Sequence, residues 1–138
     1  MNIVDSSGWL AYFADEPNAE HFFAPLSDSA SLVVPTVTIY EVFKVIIRES
    51  GENDALQAVI AMQKGTVVDL KASLAMAASR LSLEHNLPMA DSIILATAQE
   101  FKATLWTQDS DFKNINNVRY FPKNSSPTRQ SNRSLRSG

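Results

Sequence analysis

Short apolar runs alternate along the chain with longer stretches in which apolar residues recur every three or four positions. The short runs are Asn2-Ile3-Val4, Leu32-Val33-Val34, TVVDL over 66–70, Thr104-Leu105-Trp106-Thr107 and Val118-Arg119-Tyr120-Phe121. Each is too brief for a stable helix and rich in β-branched, aromatic or large aliphatic residues, so each is expected to be a strand. Between them the periodicity predicts helices opening in SSGWLAYF, over 19–26, over 36–49, ending near Lys64, carrying Leu74, Ala77, Ala78 and Leu81, and over 89–102. Pro17, Pro35, Gly51 and Pro88 punctuate these segments, and Asn53 or Asp54 is expected to cap the fourth helix. Strands alternating with helices imply right-handed βαβ units. The expected fold class is α/β, a three-layer α/β/α sandwich around a central, mostly parallel sheet of four to five short strands.

One helix breaks its own pattern. In MADSIILATA (89–98), Ile94, Leu95 and Ala98 follow Asp91 at three, four and seven positions, so a carboxylate heads the stripe that should face the core. An unpaired buried carboxylate costs several kcal/mol, roughly, unless a cap, a cation or a metal compensates it.

Composition narrows the choice of compensator. The 138-residue chain has no cysteine and only two histidines, His21 and His85, both on polar segments and expected at the surface. Thiolate chemistry is therefore excluded and two histidines argue against a histidine-rich metal site, so any metal is expected to be held by oxygen, which favours Mg²⁺ or Mn²⁺. The net charge of −3 conceals an asymmetry, because residues 1–123 carry nine Lys and Arg against all 15 acids, a net −6. Bulk charge does not advertise nucleic-acid binding, so a phosphate substrate would need a metal or a local basic patch. The amino terminus has no basic leader region and no apolar run would span a membrane, so a cytoplasmic location is expected. Residues 124–138 are almost wholly polar, with three arginines, and are expected to form a disordered tail beside one domain over 1–123.

In an open parallel sheet, ligands bind beyond the carboxyl ends of the strands. Asp5 ends the first strand, Glu41 lies in the first turns of the helix after the second, Asp91 opens its helix, and Asp109 and Asp111 follow Thr107. Each has a local explanation. Asp5 can cap a helix, Thr38-x-x-Glu41 fits a capping box, Glu41 can pair with Lys44 or Arg48, Asp91 suits the helix dipole, and Asp109 and Asp111 suit a turn. Local capping does not explain why four separate segments deliver carboxylates to one edge. Crowded carboxylates repel, so some must protonate or a cation must neutralise them.

These residues, in IVDSSGWLAYF, PTVTIYEVF, LPMADSIILATA and LWTQDSDF, resemble the PIN-domain ribonucleases, most closely the small VapC-type toxins of bacterial toxin–antitoxin pairs. The resemblance covers residues 1–123. It implies a catalytic quartet of Asp5, Glu41, Asp91 and Asp109, with Asp5, Asp91 and Asp109 as metal ligands and Ser7, Thr107 and Asp111 in support. It implies a Mg²⁺- or Mn²⁺-dependent endoribonuclease that leaves a 5′-phosphate and a 3′-hydroxyl, with RNA as substrate and an antitoxin protein as partner. Lys44 and Arg48, one and two turns beyond Glu41, are read as a solvated helix face. Trp9 and Phe13, like Phe43 and Ile47, are read as core or dimer contacts. The helix over 37–47 is too apolar for one buried stripe, which an antitoxin groove or a homodimer interface would explain. A phospho-accepting receiver domain would want paired acids after the first strand, and a haloacid-dehalogenase-type phosphatase would want Asp-x-Asp, where this chain has Ser7. The remaining alternative is a catalytically inactive PIN-shaped module that binds RNA or protein.

Overall fold

The computed structural model describes residues 1–123, and the expectation for the tail lies outside the described residues. Five strands form, β1 (Asn2–Val4), β2 (Val33–Pro35), β3 (Thr66–Val68), β4 (Thr104–Thr107) and β5 (Val118–Tyr120). β1 pairs with β4, β4 with β5, and β2 with β3, every pair parallel, and an Asn2–Leu32 bridge joins the two groups. The spatial order is therefore β3-β2-β1-β4-β5, and the sheet is wholly rather than mostly parallel.

Adjacent residues in these strands point to opposite faces, and the two faces build separate cores. Ile3, Val33 and Leu105 join Leu74, Ala78 and Leu81 of α5 (Ala72–His85) and Ile94 and Leu95 of α6 (Met89–Glu100). Val4, Val34 and Trp106 turn the other way. They meet Trp9 of α1 (Ser6–Phe13), Phe22 of α2 (Ala19–Ser27), Val42 of α3 (Thr36–Ser50) and Ala58 and Met62 of α4 (Glu52–Met62). Apolar strands buried on both faces are what parallel sheets require. The three-layer expectation stands.

Helix boundaries depart from the sequence reading at two starts. α3 begins at Thr36 with Pro35 at its N-cap, so Thr38 sits inside the first turn and cannot form the expected capping box; its buried hydroxyl has no partner among the described residues. α4 starts at Glu52 behind Gly51, whose φ of +94° only glycine adopts readily, and neither Asn53 nor Asp54 caps it. α3 leaves Tyr40 and Ile47 exposed, and α4 leaves Leu56 and Ile60 exposed. His21 is exposed as expected, whereas His85 is half-buried at the end of α5.

The start of α1 leaves no room for a side chain at Gly8. A Cβ on Gly8 would meet Val4 Cγ1 at 2.5 Å and Phe22 Cε1 at 2.9 Å, and both neighbours are fully buried. Gly8→Ala gains about 1 kcal/mol in helix propensity but incurs an overpacking cost of about 1–3 kcal/mol. Urea unfolding should show a net loss of stability. A variant more stable than the wild type would contradict this packing.

Candidate active site

Asp5 is the first carboxylate the fold places. It follows β1, caps α1 by accepting from the Gly8 N–H at 3.0 Å, and is 2% exposed. The Ser7 hydroxyl donates to Oδ1 at 2.8 Å or Oδ2 at 3.0 Å, and the Thr107 hydroxyl donates to Oδ2 at 2.7 Å. Burial pushes its pKa up to about 6, against the pull of the Thr107, Gly8 and Ser7 hydrogen bonds and with a further push from Asp109. Thr107 in turn accepts from the Asp109 N–H at 2.9 Å, so the end of β4 fixes Asp5 and Asp109 together. Asp109 also accepts from the Asp111 N–H at 2.8 Å, capping the short 3-10 turn Ser110–Phe112. The local explanations for Asp5 and Asp109 are thus true as far as they go.

Asp91 has the helix dipole as the only local explanation that holds. It lies in the first turn of α6, whose N-cap is Pro88, and it makes no capping hydrogen bond. The ion pairs among the described residues join Arg48 to Glu49, Lys71 to Glu100 and His85 to Glu84, and none reaches it. Instead it faces other acids. Carboxylate oxygens of Asp91, Asp109 and Asp111 all lie within 4.8 Å of one another. Burial, then the charges of Asp109, Asp5, Glu41 and Asp111, push the Asp91 pKa up to about 8. Of the three compensators, cap and cation are both missing here, which leaves a proton or a metal.

Glu41, half-buried on α3, accepts a hydrogen bond from the Ser6 hydroxyl. Residues 5–7 therefore hold acids from two segments. Sequence reasoning missed Ser6 and Gln108. Ser6 stood in plain view in the DSSG run, but its partner is 35 residues away and no local pattern names it. Gln108 is buried; its N–H donates to Ser7 Oγ at 3.3 Å and its side-chain amide donates to the Ser7 carbonyl at 3.4 Å. Asp111 stands inside the close carboxylate group, while Asp5 lies outside that group, engaged by its hydrogen bonds. Three hard oxygen donors with no neighbouring cation fit Mg²⁺ or Mn²⁺, which take carboxylates and retain waters. Asp91, Asp109 and Asp111 could hold such an ion, with Asp5 and Glu41 at its border.

No curated protein matches the chain at a significant level. The family model for the PIN domain matches residues 3–118. The chain is also similar to a toxin–antitoxin complex from Klebsiella pneumoniae at 22% identity and a TM-score of 0.73, covering 86% of this chain and 96% of that one. VapC20 of Mycobacterium tuberculosis, a sarcin–ricin loop-cleaving toxin, shares 18% identity and a TM-score of 0.70, with 84% and 95% covered. VapBC2 from Rickettsia felis, bound to a DNA fragment from its promoter, shares 14% identity and a TM-score of 0.67, with 88% and 97% covered. At these identities the likenesses establish the fold.

The raised carboxylates set the sign of the pH dependence. Folded Asp91 and Asp5 hold protons that the unfolded chain loses near pH 4, so the metal-free protein should lose stability as pH rises from about 4 through about 8. Melting curves at pH 6 and 8.5 in EDTA should show this fall, and Asp91→Asn should flatten most of it. A wild type whose stability rises across that window would contradict the geometry.

Proposed function

Because the chain belongs to the PIN domain family, we propose that it is a divalent-metal-dependent endoribonuclease acting as the toxin of a bacterial toxin–antitoxin pair. The observation that carries the reading is Asp91, half-buried against two further carboxylates with neither cap nor cation. Asp91, Asp109 and Asp111, with Asp5 at the border, would hold a Mg²⁺ or Mn²⁺ ion, which would neutralise transition-state charge and lower the pKa of water. The chain's own groups do the rest. Ser7, Thr107 and the Gly8 N–H keep both oxygens of Asp5 engaged, so its direction is fixed before substrate arrives. Glu41, steadied by Ser6, takes a proton from the water that attacks phosphorus. The P–O3′ bond breaks and O3′ takes a proton from solvent, leaving a 3′-hydroxyl and a 5′-phosphate.

The partner reading rests on a groove between α1, α3 and α4 and on exposed side chains of α3 and α4. The groove, of about 530 Å³, is floored by Leu10, Phe13, Val45, Ile46 and Ala58 and rimmed by Glu16, Glu49 and Asp54. Exposed Tyr40, Ile47, Leu56 and Ile60 add apolar surface on α3 and α4. An antitoxin segment, or a second copy in a homodimer, covers that surface. No helix among the described residues is long and apolar enough to cross a membrane, and we place the activity in the cytoplasm.

Cleavage of mixed RNA in Mg²⁺ or Mn²⁺ tests the reading. Asp5→Asn, Glu41→Gln, Asp91→Asn and Asp109→Asn should each fold and lose activity by about 10²-fold or more, and EDTA should silence the wild type. Full activity in Asp91→Asn, or in excess EDTA, contradicts the assignment. An inactive but folded wild type would favour the binding-module alternative.

A further inference from the structure

One residue back along β4 from Thr107 a cluster of opposite character begins. Trp106 and Thr107 are neighbours on β4 and point to opposite faces. Thr107 holds Asp5, while Trp106 lies under the guanidinium of Arg119, whose centre is 4.5 Å from the ring centroid. Phe121 follows β5 directly and donates its N–H to the Thr107 carbonyl at 2.9 Å. Its ring stacks near-parallel to Trp106 at 6.0 Å and to His21 at 4.4 Å, with only 9° between the His21 and Phe121 planes. The Trp106 indole N–H donates to Asn2 Oδ1 at 2.9 Å, which fixes the ring from β1. Asn18 holds the segment from the other side, its amide reaching the Phe121 and Pro122 carbonyls and Gln108 Oε1.

The outer members of this stack face solvent. Arg119 and His21 are exposed, Trp106 and Phe121 half-buried, and among the described residues no carboxylate pairs with Arg119. Burial therefore does not account for the two outer groups. A planar cation and a planar ring, aligned in advance on a fixed aromatic pair, match what unpaired nucleic-acid bases stack on. Arg119, with Lys123 nearby in sequence, also supplies positive charge at the edge of a body carrying a net −6, which a phosphate strand would seek.

We propose that the Arg119–Trp106–Phe121–His21 stack is a platform for unpaired RNA, holding the strand beside the scissile phosphate. The proposal rests on the ribonuclease reading and adds to it where the substrate lies. A strand crossing the carboxyl end of β4 meets the platform on one face and the acids at the tip. Single-stranded substrate is preferred because stacking needs bases that are free of a duplex.

The test measures binding of a short fluorescein-labelled single-stranded RNA of mixed sequence to the full chain. Ca²⁺ replaces Mg²⁺ or Mn²⁺, and a gel checks that the strand stays intact. Arg119→Gln should weaken binding about tenfold and reduce the slope of log affinity against log salt by about 1. Arg119→Lys should restore the slope but only part of the affinity, because it keeps charge and loses the planar contact. His21→Ala should weaken binding about fivefold or more, with KM raised and kcat kept in Mn²⁺. The same sequence as a duplex should bind more weakly. If Arg119→Gln and His21→Ala lower the melting temperature yet bind RNA like the wild type, the stack is only a clamp on β5 and the platform is overturned. If the wild type cleaves RNA while both variants keep its KM, the platform fails and the ribonuclease reading survives. If the wild type neither binds nor cleaves RNA, both fail together.

Discussion

The repulsion among carboxylates that share one edge of a parallel sheet governs this molecule. Asp91, Asp109 and Asp111 approach within 4.8 Å, with Asp5 and Glu41 adding their charge and no cation among the described residues relieving it. Stability alone would not choose this arrangement, since one carboxamide would remove the repulsion at no cost in shape. The scaffold nevertheless invests its most specific contacts here. Three donors engage Asp5, Thr107 ties it to Asp109, and Ser6 holds Glu41. Such order around an unfavourable cluster marks a site whose use lies outside folding.

The fold makes the convergence inexpensive. Each parallel strand ends at the same edge, and each is followed by a turn or helix start that delivers its next polar residue there. The cores on the two faces fix strand direction independently, Ile3, Val33 and Leu105 on one side, Val4, Val34 and Trp106 on the other. Alternation along β4 then does two jobs. Thr107 serves the acids while Trp106 anchors Arg119 and Phe121.

Much of this was legible in the sequence. Short β-rich runs gave all five strands, and 3.6-residue periodicity with Pro and Gly punctuation gave all six helices, because these signals are local. Asp91 was conspicuous because it interrupts an apolar stripe. The capping box at Thr38 misled, since a Thr-x-x-Glu pattern looks the same two residues inside a helix as at its start. Sequence spacing also cannot measure distance between segments. It could not show that Asp111, rather than Asp5, shares the close carboxylate group, nor that Ser6 reaches Glu41 or that Arg119 covers Trp106. Those contacts follow from strand order and register, which local patterns leave open.

Calorimetric titration of the wild type with Mn²⁺ at pH 7, in two buffers of different ionisation enthalpy, tests the central claim most directly. If Asp91 is held by a proton in the free protein and by a metal in the working one, binding must release that proton. Saturable binding with release of about one proton per ion is expected, and neither in Asp91→Asn. Binding without proton release, or no binding by the wild type, would contradict it.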